Sequence, residues 1–323
     1  MSPSRRRQES LRFDELYIEP VGVCNLDCKV CYTDRSAPTR LSTEDMLNFA
    51  LKQDAYERQY DPRGLRYVYF CGTGELFVLK YFPDTLRAFH DAFPKAVLQV
   101  QTNGTFPFPD LDFPVDWNIS IDGTQKYHEM NRGKGTFRPT IRFLERALKN
   151  GDEVMVRTIV GRWNEENIPR FARWLRDNYG LVPEYDPRMV IPRNGFGPLT
   201  KRSYTHQDEL GVPSEKWRKI YVVEPKEIRP GACHQVSIFH GRRVTFCCEA
   251  PIMPAHMDMS MREIEDVYID IMGPCRQCHV NTSCWWCIKP SFNCGMQEVW
   301  KVNSCKDVAQ QIADRELVTI QVP

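Results

Sequence analysis

No stretch of the 323-residue chain approaches the roughly 18 to 20 consecutive apolar residues that a membrane span needs, so no membrane insertion is expected. Charge of one sign is missing too. Forty-three Lys and Arg stand against 42 Asp and Glu, net +1, and the only basic run is the short Arg5–Arg7. A nucleic-acid partner would need a basic face for its phosphates, and none is expected. No apolar segment follows that basic run, which argues against a secretory signal peptide and for a cytoplasmic protein. Internal repeats and low-complexity tracts are absent as well. With 42% hydrophobic and 26% charged residues, the chain reads as a globular protein long enough to bury a sizeable core without disulfides.

What the chain has in excess is cysteine. Thirteen of them in a reducing compartment are better read as metal ligands or reactive thiols than as disulfides. They are grouped: Cys24, Cys28 and Cys31 lie near the start, Cys71 stands alone, and nine fall between Cys233 and Cys305. Two separate metal-binding regions are implied.

The first two thirds alternate strand-like and helix-like segments. Strands are expected over 16–22, 66–71, 96–101, 117–122, 153–160 and 181–189. Helices are expected after Ser42, a suitable N-cap, over 137–149 before Asn150-Gly151, and over 164–179. Such alternation predicts βα units around a parallel sheet, with functional groups where the strands end. Pro192, Gly195, Gly197 and Pro198 break the pattern. The expected division is therefore a basic tail over 1–14, an α/β unit over 15–190, a connection over 191–230 and a cysteine-rich unit over 231–323.

Three thiols within one loop suit a four-iron cluster that keeps one iron without a protein ligand. Zinc, or ordinary buried cysteines, are the other readings that the spacing leaves open. Cys24-x3-Cys28-x2-Cys31, just after the first strand, resembles the cysteine loop of the radical SAM superfamily. That resemblance implies a partial (β/α)6 TIM-like barrel whose 4Fe-4S cluster chelates S-adenosylmethionine through its open iron. Gly72-Thr73-Gly74-Glu75 is similar to the family's Gly-Gly-Glu-Pro segment, with Thr73 interrupting the glycines and Leu76 in place of proline. The resemblance gives Gly72 and Gly74 close backbone approach to the cofactor and gives Glu75 its methionyl ammonium. Asn103 in Thr102-Asn103-Gly104 belongs to a third such segment. Ser120 and Asp122, in Ser120-Ile121-Asp122-Gly123, would contact the ribose, and Arg157 is a further candidate for the ribose or carboxylate.

Cys275-x2-Cys278-x5-Cys284-x2-Cys287-x17-Cys305 resembles the tail of the SPASM subfamily, where such cysteines hold auxiliary 4Fe-4S clusters. Cys233, Gly241 and Cys247 resemble the hairpin that begins that domain, and His128-x3-Arg132-Gly133 is another segment similar to the subfamily. The resemblance puts Cys275, Cys278, Cys284 and Cys305 on one cluster and Cys233, Cys247 and Cys287 on another, with x2 here where x3 is usual before Cys287. A zinc site, or covalent haem at Cys275-Arg-Gln-Cys278-His279, is the other reading of this stretch. Cys71, Cys294 and one of Cys247 or Cys248 remain over.

The activity so implied is reductive cleavage of S-adenosylmethionine to a 5'-deoxyadenosyl radical, hydrogen abstraction from a substrate carbon, and passage of an electron to auxiliary clusters. That describes an oxidoreductase acting on a small hydroxylated molecule or a peptide, with flavodoxin or ferredoxin as reductant. The short lead before the first strand leaves no room for a leader-binding domain, which favours a small molecule or a peptide presented by another protein. An alternative is a redox-neutral epimerase in which Cys248 or Cys294 donates a hydrogen atom. Another is a non-catalytic iron-sulfur electron carrier, against which Glu75 and Ser120 argue. Asp186, Arg188 and Arg193 are candidate substrate contacts.

Overall fold

Alternation along the strands dictates the architecture. In Leu16-Tyr-Ile-Glu, Leu98-Gln-Val-Gln and Trp117-Asn-Ile-Ser every second residue is apolar, so each strand has one face that seeks a core and one that does not. The computed structural model describes residues 13–31, 40–72, 74–187, 235–239, 241–245 and 255–267. In it six parallel strands follow one another: β1 (Glu15–Glu19), β2 (Tyr67–Phe70), β3 (Val97–Thr102), β4 (Asp116–Ser120), β5 (Val154–Val160) and β6 (Glu184–Pro187). The sheet order is β6-β5-β4-β3-β2-β1-β7-β8-β9, an open partial barrel. Here β7 (Gln235–Phe239) runs parallel to β1, while β8 (Arg243–Thr245) and β9 (Ala255–His256) extend the sheet antiparallel. The cysteine-rich stretch thus begins as a continuation of the barrel sheet. The expected connection at 191–230 and all nine cysteines from Cys233 onward lie outside the described residues.

The apolar face carries the helices. Leu16, Ile18, Val68, Phe70, Val100, Trp117, Ile119 and Val156 are fully buried on it. Against them pack α1 (Thr43–Glu57), α2 (Phe82–Ala92), α4 (Phe137–Asn150) and α5 (Ile168–Tyr179); the short α3 (Gln125–Arg132) precedes α4. Aromatic edges fill the layer: Phe70 meets Phe82 and Phe89 at 5.3 and 5.0 Å, and Trp117 meets Phe143 at 5.1 Å. Ser42 caps α1 as its sequence suggests, its Oγ accepting from the Asp45 amide at 3.0 Å. Farther along α1, buried Gln53 donates to the Phe13 and Glu15 carbonyls and Glu57 accepts from the Phe13 amide, fixing the entry to β1. α5 begins at Ile168 rather than near 164. Asn164 is engaged otherwise, accepting from the Gly161 amide and donating to the carbonyls of Asp122 and Ile159. Among the described residues no helix is long and apolar enough to cross a membrane.

Candidate active site at the barrel rim

The opposite face of the sheet is polar. Register aligns Tyr17, Tyr69, Gln99 and Asp116 across four strands, then Gln101 with Asn118, and Ser120 with Arg157 and Glu184. Tyr17 and Tyr69 stack at 4.3 Å between centroids. Asn118 is 6% exposed, and its Oδ1 is buried with no hydrogen-bond partner among the described residues. A buried amide oxygen left so costs free energy unless a donor reaches it. Arg157 reaches Glu184 at 3.4 Å, and burial pushes the Tyr69 hydroxyl up to about 12.

At the C-terminal rim four loops meet. The cysteine loop leaves β1, is closed at its base by the Val21–Arg40 bridge and the Leu41 amide on the Pro20 carbonyl, and carries Cys24, Cys28 and Cys31. The loop after β2 lies directly on it. The Glu75 amide donates to the Val23 carbonyl at 3.0 Å, and a Cβ at Gly74 would stand 2.3 Å from that carbonyl oxygen and 2.7 Å from that of Val21. Only glycine permits this approach. Gly72, at φ +144, backs onto Glu19.

Glu75 is buried beneath that contact. Its Oε1 accepts from Thr102 Oγ1 at 2.8 Å and from the Phe77 amide at 3.4 Å, and its Oε2 accepts from the Asn103 amide at 2.7 Å. Burial raises its proton affinity above the ordinary carboxylate range, and these donors work against the rise. Three bonds leave one acceptor position on Oε2. Asn103 in turn reaches the cysteine loop: its Nδ2 donates to Asn25 Oδ1 at 3.0 Å and lies 3.9 Å from Cys24 Sγ, while Asn25 Nδ2 donates to Thr105 Oγ1.

The far end of the cysteine loop rests on α3. The Lys29 amide donates to the Asn131 carbonyl at 2.9 Å and the Val30 amide to Asn131 Oδ1 at 2.8 Å. Asp122, fully buried, accepts from Arg132 Nε at 2.7 Å, Arg132 Nη2 at 3.2 Å, Asn131 Nδ2 at 2.8 Å and the Ile159 amide at 3.1 Å. Those four bonds fill its lone-pair positions. Although burial alone would raise Asp122, facing Arg132 holds it below the usual carboxylate range. His128 accepts the Asp122 amide on Nδ1, and burial depresses it to about 3. Burial also pushes Cys28 up to about 12, with Arg132 opposing and the other two thiols of the loop adding to the rise.

Cys24, Cys28, Cys31, Gly72, Gly74, Glu75 and Asn103 therefore gather at one rim, with Ser120 and Arg157 on the adjoining inner face. Among the described residues no three His, Cys, Asp or Glu side chains form a single-ion site. The candidate ligands Cys233, Cys247, Cys275, Cys278, Cys284, Cys287 and Cys305, the thiols Cys248 and Cys294, and Arg188 and Arg193 fall outside the described residues. Asp186 lies on β6, paired in register with Ile159. Sequence reading did not single out Asn131, nor the inner-face residues Tyr17, Tyr69, Gln99, Gln101 and Asn118. The period-two alternation holds the signal for the latter.

Comparisons with known proteins agree with this geometry. Among solved structures, native anSMEcpe with bound AdoMet is similar at a TM-score of 0.55 and 17% identity, over 94% of this chain and 100% of that one. Streptococcus suis SuiB bound to S-adenosylmethionine gives 0.57 and 13%, over 85% and 72%. Native anSMEcpe with AdoMet and the Cp18Cys peptide gives 0.54 and 16%, over 85% and 88%. At these identities the likeness speaks for the fold. A search of the curated proteins finds no match. The profile of the radical SAM superfamily matches residues 18–175, the stretch from β1 into α5 that carries the cysteine loop and the rim, and that stretch is a radical SAM domain.

Proposed function

We propose that the chain is a radical SAM oxidoreductase acting on a small hydroxylated molecule or a peptide. The observation that carries the reading is the seating of the three-thiol loop directly on the Gly74–Glu75 turn and Asn103, at the C-terminal rim of a parallel barrel. The donor set fits a 4Fe-4S cluster, since three thiols leave one of four irons for S-adenosylmethionine. When bound, cluster and cofactor supply a carbon radical able to take hydrogen from an unactivated C–H bond. The protein's part is to bind, orient and exclude water. Glu75 offers its remaining acceptor position to the cofactor's ammonium, and Ser120 and Arg157 offer a hydroxyl and a cation to its polar groups.

Substrate would lie along the inner face. Tyr17, Tyr69, Gln99, Gln101 and Asn118 Oδ1, which has no partner among the described residues, favour a polar molecule that brings N–H or O–H donors, as sugar hydroxyls and peptide amides do. The Cp18Cys peptide in the anSMEcpe neighbour makes a peptide a reasonable occupant. Auxiliary clusters on Cys275, Cys278, Cys284 and Cys305 and on Cys233, Cys247 and Cys287 would accept the second electron, which makes the outcome a net oxidation. Anaerobic reconstitution tests the reading. Close to three 4Fe-4S clusters should load, Ala at Cys24, Cys28 and Cys31 together should remove one, and reduced enzyme should convert S-adenosylmethionine to 5'-deoxyadenosine. Stoichiometric zinc without iron or sulfide would end it.

A further inference from the structure

Two of the three supports of the cysteine loop come from the loops after β2 and β3, already assigned to cofactor binding. The third has no such role. It consists of Asn131 and Arg132, at the end of α3, held from below by Asp122. The last carbonyls of a helix have no partner within it. At Asn131 that carbonyl is used by the Lys29 amide, and its side-chain oxygen takes the next amide, Val30. The two amides that follow Cys28 and precede Cys31 are therefore fixed by one residue. Asn131's own orientation is set by Nδ2 on Asp122, and the same carboxylate grips Arg132 through two nitrogens. Both ion-pair side chains are buried, at 9% and 0% exposure. Electrostatic attraction couples the guanidinium first to Asp122 and then to Cys28 and Cys31 in the thiolate form that a cluster would impose.

A buried charge pair built only for stability is easily replaced by apolar packing. This one is instead joined by hydrogen bonds to the segment that carries two expected cluster ligands. We infer that Asp122, Asn131 and Arg132 form a brace for the radical SAM cluster, in which Asn131 positions the Cys28–Cys31 segment and Arg132 places a fixed positive charge beside it. Asp122 is then a positioning residue, its lone pairs engaged below the loop, and not a ribose ligand. The charge matters because reduction adds an electron to an anionic thiolate-bound cluster. A cation held nearby in a medium of low polarity favours the reduced form and raises the potential.

The inference rests on the cluster assignment above, and its test uses reconstituted full-length protein without cofactor or substrate. The spectroscopic signal to follow is the one missing from the variant with Ala at Cys24, Cys28 and Cys31. Arg132→Met should lower the midpoint potential of that signal, cutting its reduced-to-oxidised ratio at fixed potential about tenfold, which is about 59 mV for one electron. Arg132→Lys, which keeps the charge, should restore most of the shift. Asn131→Ala leaves the ion pair in place and should release iron from that site several-fold faster under chelator, with unchanged circular dichroism of the unloaded protein. If Arg132→Met does not fold, Asn131→Ala decides. An unshifted potential in folded Arg132→Met, or wild-type iron retention in Asn131→Ala, overturns the brace. A wild-type protein that loads no iron-sulfur cluster at that site overturns the underlying assignment instead.

Discussion

Replacing Gly74 by Ala is the most direct probe of how the rim is assembled. The added Cβ would lie 2.3 Å from the Val23 carbonyl oxygen, 2.7 Å from that of Val21 and 2.9 Å from the Val23 nitrogen, all backbone atoms. No side chain can swing aside, so the two loops must part by about 1 Å to reach ordinary contact. The Glu75 amide, now 3.0 Å from the Val23 carbonyl, loses its acceptor in the same movement. Overpacking costs about 1 to 3 kcal/mol. The lost hydrogen bond adds about 0.5 to 1.5 kcal/mol. Together the loss is about 2 to 4 kcal/mol. Spread over a domain of this size, it should lower the midpoint of thermal unfolding by roughly 4 to 10 °C.

Because Val23 adjoins Cys24, the displacement should also reduce cluster loading at the first site while leaving any other iron untouched. Differential scanning fluorimetry of the unloaded protein, followed by iron and sulfide determination after reconstitution, measures both effects. Gly241→Ala is the control. Among the described residues a Cβ there meets nothing within 4 Å, and the residue shows no left-handed φ, so the variant's stability should stay within about 0.5 kcal/mol of wild type. Wild-type melting and full cluster content in Gly74→Ala would refute the claim that these loops touch.

Glu75→Ala should weaken S-adenosylmethionine binding and, by stripping three donors of their acceptor, destabilise the unloaded protein by more than Glu75→Gln does; calorimetric titration and melting curves separate the two effects. His128, depressed to about 3 from 6.5, leaves the unfolded chain binding more protons between those values. Stability is therefore fully present above about pH 6.5 and lost toward pH 3, on the order of 5 kcal/mol in all, and His128→Asn should flatten that acid arm in denaturant titrations. Once a substrate is in hand, product formed in D2O should lose two hydrogens and gain no deuterium at carbon. A deuterium gain abolished by Cys248→Ala or Cys294→Ala, with clusters intact, would instead establish the epimerase.

Much of the barrel was legible because its strands alternate so regularly. All six expected parallel strands are present, within a few residues of their expected bounds, and the cysteine loop leaves β1 where its spacing placed it. Helices α2 and α3 were not foreseen, for different reasons. α2 buries Phe82, Leu86 and Phe89, a readable apolar stripe whose start is blurred by Pro83 in its first turn and by the apolar run Leu76–Leu79 just before it. α3 gives no such stripe to read. Its buried residues are His128, Asn131 and Arg132, all polar, and its sequence resembles a solvated loop.

That polarity is the physical reason why α3 could not be found from pattern and why it matters. A helix that buries polar side chains must provide partners for each of them, and those partners lie 6 to 10 residues back, at Asp122, or about 100 residues away, at Val30. No local periodicity encodes contacts over such separations. The same holds for Glu75, whose donors Thr102 and Asn103 follow it by 27 and 28 residues. Motifs therefore revealed which residues gather at the rim, but not which of them face outward to a ligand and which face inward to one another. Glu75 retains one acceptor position and Asp122 retains none, a distinction that separates a binding carboxylate from a bracing one although both close similar strand-end segments.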